Sequence, residues 1–269
     1  MNALWDAFMD FLPGNWDLFK EWVYWEFLLR GLWISVKIAF FAIILSILVG
    51  TIMAVGRLAP APIVRFLATT YIEVFRASPV LLLMFFVFFG AGRFSTEWAT
   101  DVPILAYFVD DVTGDLTPEA SMIVALTLYN SAVVAEIMRA GILSISKGVI
   151  EASRTVGLTY LQSMRYIAVP IAFRRMAPGL VSQLITLFKD TSLASLITVL
   201  ELARRGRILY DDFKFQDSTV PIILVVALMY FIPNYMLSLL AARLERGPDQ
   251  RARRDAGLTA AEAQSISGG

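Results

Sequence analysis

Residues 38–56 read IAFFAIILSILVGTIMAVG, an apolar run without a single charged side chain. A helix that crosses ~30 Å of hydrocarbon needs about 20 mostly apolar residues, and this run meets that length. Residues 218–242 form a second charge-free run. A third, 66–92, carries Glu73 and Arg76 near its start, and Ser78-Pro79 predicts a kink there or the start of its continuous part. Residues 120–135 lie between Glu119 and Glu136, and 176–200 are apolar on both sides of a central Lys189-Asp190 pair. These five runs predict an all-α membrane protein with five transmembrane helices.

Composition agrees. The 269 residues are 58% hydrophobic and 17% charged, and mean hydropathy is +0.67, where a soluble domain has roughly 45–50% apolar and about 25% charged residues. Twenty-three basic and twenty-three acidic residues cancel, which argues against a nucleic-acid binder. The chain has no Cys and no His. That removes disulfides, thiolate metal sites, the commonest general base and His-held haem. No catalytic residue and no metal ligand set is expected, and the work left to such a chain is binding and movement.

Lys and Arg mark the cytoplasmic connections. The first connection holds Arg57 and Arg65 and no acid, and the third holds Arg139, Lys147, Arg154, Arg165, Arg174 and Arg175 against Glu151 alone. Residues 93–119 carry six acids and one base. This alternation predicts an external N-terminus and a cytoplasmic C-terminus. Residues 201–217 dissent, since they should be external yet hold Arg204, Arg205, Arg207 and Lys214. Residues 1–29, rich in Trp and lacking the basic start of a signal peptide, predict an amphipathic segment at the outer interface. Residues 30–243 form the five-span domain, and 244–269 a polar, disordered cytoplasmic tail.

The third connection is patterned as two short helices. Residues 142–170 read ILSISKGVIEASRTVGLTYLQSMRYIAVP. Gly157 fits the left-handed residue that ends a helix, and Leu158, Leu161, Met164 and Ile167 recur at helical spacing up to Pro170. Glu151-Ala152-Ser153, then Gly157, Ile167 and Val169-Pro170, resemble the EAA loop of ABC importer permeases, with Ser153 and Val169 in place of the usual Ala and Leu. The resemblance extends to the polar amino-acid permease family through GLWISVKIAFFAI, YIEVFRASPVLL, AEIMRAGILSISKG, VPIAFRRMAPGL and FKDTSLASLITVLEL, in that order along the chain.

This resemblance implies a type I ABC importer permease: a multi-pass subunit in a prokaryotic plasma membrane that moves polar amino acids, with glutamate or glutamine as candidates. It implies a cytoplasmic ABC ATPase dimer, a second permease subunit and an external amino-acid-binding protein as partners, besides the bilayer. The unusual N-terminal segment and long external loop favour a paralogue over a second copy. The chain has no G-x-x-x-x-G-K-[ST] loop. It therefore binds no cofactor itself, and ATP and Mg belong to the partner ATPase. Glu151, Ala152, Ser153, Gly157, Leu158, Leu161, Ile167 and Pro170 would form the ATPase-coupling segment. An ion channel or proton-coupled carrier is the competing class, but it has no need of an EAA loop, and the internal repeats usual in secondary carriers are not visible here.

Ionisable residues inside a span usually face a cavity or the bundle interior. On one helix, Gln183, Thr186 and Asp190 fall within about 60° of each other, flanked by Ser182, Lys189 and Ser192. That stripe suits a substrate pathway for a zwitterion, or else an ion pair that only fixes packing. Asn130 reads equally as pathway or as interhelical glue. Glu73 with Arg76, and Glu136 with Arg139, stand three residues apart, the spacing of structural ion pairs on one helix face.

Overall fold

The computed structural model describes residues 14–90 and 116–245, and every regular element among them is helical. The N-terminal part of the interfacial segment, the core of the acidic external segment and the tail beyond 245 lie outside the described residues. The long helices are α1 (Trp22–Arg57), α4 (Pro118–Leu143), α7 (Val169–Asp190) and α9 (Thr219–Glu245). Shorter ones are α2 (Pro62–Ala77), α3 (Val80–Phe85), α5 (Lys147–Thr155), α6 (Tyr160–Ser163) and α8 (Leu202–Tyr210). Among the described residues, four continuous helical stretches are long and apolar enough to cross a membrane, or five if the bent pair Pro62–Ala77 and Val80–Gly90 is counted as one span.

The centre of the bundle is α4, the most buried span although the others in part exceed it in hydropathy. Its small residues, among them Ser121, Ala125, Ser131, Ala132 and Ala135, let neighbouring backbones come close. Gly50 of α1 shows how close: a Cβ there would lie 2.7 Å from the Ser131 carbonyl oxygen. At one end, Lys37 of α1 and Glu119 in the first turn of α4 form an ion pair at 2.7 Å. Ile38, Met84, Met122, Leu126, Leu187 and Ile197 fill the core between α1, α3, α4 and α7. Ile72, Val134, Met138, Met164 and Leu180 fill it toward α5 and α6.

Three spans differ in outline from the sequence reading. α1 begins at Trp22, so the helix runs through the expected boundary at 29/30 and joins Trp22, Trp25 and Trp33 to the span. The second span is broken rather than continuous: Ser78 is extended, and the two halves meet at 105°. Proline supplies the reason, since the residue before it avoids the α region and its own ring lacks an N–H. The helix that carries the fourth span starts at Tyr160 instead of 176, because α6 passes through a π-turn, Met164–Ala168, straight into α7. Pro170 therefore does not end a helix. It sits in the first turn of α7, where its missing donor is tolerated.

The same span corrects the position of Lys189 and Asp190. They close α7 instead of lying at its centre, and a 3₁₀ segment, Thr191–Ile197, follows and stops at Thr198 with φ +68°. The dissenting basic residues of 201–217 are also partly explained. The Arg205 guanidinium donates to the carbonyls of Leu200 and Phe27 and lies 4.6 Å over the Phe27 ring, and Arg207 pairs with Asp211.

Candidate functional site

The segment expected to couple to an ATPase is built by local hydrogen bonds. After α5 the Gly157 N–H donates to the Arg154 carbonyl at 3.0 Å, and the Leu158 N–H to the Ser153 carbonyl at 3.2 Å. Those two bonds are the Schellman stop, and Gly157 takes the positive φ that it needs, +87°. Thr159 and Gln162 then form a capping box that opens α6. The Tyr160 hydroxyl donates to the Val55 carbonyl at 2.8 Å, which ties the segment to the end of α1.

What this segment presents differs in part from the sequence reading. Glu151, Ala152, Gly157 and Pro170 are exposed, and Leu161 is 69% exposed. Leu158 and Ile167 are only half exposed. Ser153 points inward: it is 2% exposed, and its hydroxyl lies 2.8 Å from that of Ser163. It fastens α5 to α6 and is not available to a partner, because a small polar side chain fits where two short helices cross. Val156, 75% exposed, and Tyr166 complete the outer apolar surface. Sequence reading missed both: Val156 is the cap residue that follows α5, outside the helical periodicity, and Tyr166 lies in the π-turn, which shifts the register after Ser163.

The expected polar stripe on α7 divides in two. Gln183 donates its amide to the Asn130 side-chain oxygen, and the Asn130 amide donates to the Leu126 carbonyl at 2.8 Å. Asn130 is wholly buried, so this pair joins α4 to α7. Ser182, Thr186 and Lys189 turn outward, while Asp190 and Ser192 are half-buried at the end of the helix. The span thus carries an exposed polar face backed by a buried amide pair.

The expected ion pairs form a cluster. Glu136 binds Arg139 at 2.8 Å, as the spacing predicts. Glu73 does not pair with Arg76. It meets Arg57 at 2.9 Å, Arg57 also contacts Glu136, and Arg76 reaches Glu136 at 3.9 Å. Arg57, the last residue of α1, lies between α2 and α4 and takes both carboxylates. The sequence used it only as a marker of orientation. Among the described residues, no group of His, Cys, Asp or Glu could hold a metal ion.

One more polar centre went unnoticed in the sequence. Glu201 is fully buried and caps α8, accepting from the N–H groups of Ala203 at 2.8 Å and Arg204 at 2.7 Å. The Tyr230 hydroxyl of α9 donates to it at 2.6 Å, and the Ser35 hydroxyl of α1 at 3.3 Å. Burial pushes its carboxyl above the ordinary range, and these donors pull it back. The available signal was an acid in the apolar run SLITVLEL. Glu201→Ala strands the Tyr230 hydroxyl and removes the cap, which should cost about 1–3 kcal/mol. Tyr230→Phe should cost about 1 kcal/mol. Thermal unfolding of the detergent-purified protein, followed by size exclusion, reads both; an unshifted Glu201→Ala variant would make the centre incidental.

The family described as "Binding-protein-dependent transport system inner membrane component" matches residues 46–248. "Probable glutamine ABC transporter permease protein GlnP" of Bacillus subtilis is 40% identical over 219 residues, 81% of this chain and 92% of that protein. "Glutamate transport system permease protein GluD" of Corynebacterium glutamicum is 33% identical over 87% of this chain and 79% of its own length. Among solved structures, an amino acid ABC transporter crystallised with histidines superposes with a TM-score of 0.65 at 25% identity, covering 83% of this chain and 94% of that one.

Proposed function

Because this chain belongs to the family of binding-protein-dependent transport system inner membrane components, we propose that α7 lines the path by which a polar amino acid crosses the membrane. The chain is a permease subunit of an amino-acid ABC transporter and an integral membrane protein. It is not an enzyme: ATP hydrolysis is the task of a partner ATPase.

The observation that supports the path is the outward face of Ser182, Thr186 and Lys189, ending at Asp190, on a span. Ionisable and hydroxyl side chains on a span are costly against lipid and usually face a cavity or the bundle interior, so such a face belongs against water or another subunit. We place a second permease subunit opposite it, a paralogue in preference to a copy, with the path between the two. A carboxylate, an ammonium and hydroxyls along one edge suit a zwitterion, and glutamine or glutamate is the substrate we infer from the relatives' names. An external binding protein would deliver it. At the other end, Glu151, Ala152, Val156, Leu161 and Tyr166 would meet the ATPase dimer, which holds ATP and Mg.

Asp190→Asn tests the path. A charged hydrogen bond to substrate is worth about 1.5–3 kcal/mol, so uptake per assembled complex should fall about tenfold or more. The amount of assembled complex should not change. Normal uptake per complex with reduced assembly would assign Asp190 to packing instead.

A further inference from the structure

An apolar groove of 720 Å³ lies between the end of α1, the turn into α2 and the π-turn before α7. Ile52, Val55 and Val64 form one wall, and Tyr160, Leu161 and Met164 the other, with Arg165 at the rim. A second groove of 360 Å³ shares Ile52, Gly56 and Val64 with it and continues between α1 and α2 past Leu67 to Tyr71. Together they make a narrow apolar track along the span. Ile52, Val64 and Leu67 are all exposed on its edges, which is unfavourable in water and ordinary in lipid.

We propose that this track seats an acyl chain of an anionic phospholipid, with the lipid phosphate held by Arg165. Charge complementarity carries the choice of occupant. Arg165 is exposed at the rim, and Arg65, also exposed, follows the wall residue Val64. Both belong to the basic connections, which the positive-inside rule places at the leaflet rich in anionic lipid. A guanidinium forks two N–H groups onto phosphate oxygens. A lipid here touches Tyr160, whose hydroxyl ties α6 to the end of α1, so its occupancy bears on the segment proposed to meet the ATPase. The inference requires the membrane placement of the chain but not the substrate path on α7.

The test uses the assembled complex reconstituted in vesicles of phosphatidylcholine with phosphatidylglycerol, extracted gently and weighed by native mass spectrometry. The wild-type complex should retain phosphatidylglycerol in preference to phosphatidylcholine. Arg165→Gln should lower that retention about fivefold, the equivalent of ~1 kcal/mol for one basic residue at an anionic surface. Ile52→Trp, which fills the track and leaves Arg165 in place, should lower it as well. Equal retention by wild type and Arg165→Gln would overturn the proposal. So would a photo-crosslinker at position 52 that captures the second permease subunit in place of lipid. Asp190→Asn should retain lipid like the wild type, whatever its uptake, which separates this proposal from the path.

Discussion

Gly157→Val is expected to leave the permease inserted and assembled while abolishing substrate-stimulated ATP hydrolysis by the complex, a loss of tenfold or more. Nothing lies within 4 Å of a Cβ built on Gly157, so the substitution meets no neighbour. Its effect is confined to the backbone. At φ +87° an L-residue is strained by roughly 1–2 kcal/mol, and a β-branched one is a genuine outlier. Relief comes by moving out of the left-handed region, which breaks the bonds from Gly157 to Arg154 and from Leu158 to Ser153. α5 then loses its fixed angle to α6, so the exposed Glu151 and Ala152 on α5 lose their fixed placement relative to Leu161 on α6. Gly157→Asn is the control, because Asn tolerates the left-handed region and should keep most of the stimulation. Full stimulation in the Val variant would remove the segment from the coupling role.

Glu136→Ala should cost the most stability of any single change at the charged cluster. It leaves the guanidinium groups of Arg57, Arg76 and Arg139 facing one another, with Glu73 as the remaining carboxylate of the cluster. Removing one partner of a buried ion pair costs about 3–5 kcal/mol. The Glu136 side chain keeps 20% exposure, so the lower end of that range applies. The expected result is a severalfold fall in assembled protein in the membrane, with normal uptake by the fraction that remains. Arg57→Ala in the same chain should restore part of the loss, because it removes the cation nearest to the missing carboxylate. A double-mutant cycle on assembled amount measures the coupling. Additive effects would show that Arg57 and Glu136 act separately.

The spans and the helix stop at Gly157 could be read in advance because each is written in neighbouring residues. Charge-free runs such as 38–56 predict a membrane helix from length and composition alone. Gly157 predicts a helix stop because its backbone freedom is a property of the residue itself. Glu136 with Arg139 was legible for the same reason, as both stand on one helix turn. The kink at Pro79 was also local, although its 105° angle was not.

Packing decided the rest. Glu73 binds Arg57 and not the nearby Arg76, Gln183 meets Asn130 on another helix, and Glu201 gathers Ser35 and Tyr230 from two more. Ser153 faces Ser163 instead of a partner, and Leu161 stays outside where Met164 goes in. Helical periodicity ranks the faces of one helix but carries no information on which neighbour will cover each face. A buried charge or amide must find its partner wherever the folded bundle brings one within hydrogen-bond distance. Residue type therefore set the need for these contacts, and only the arrangement of helices chose who meets it.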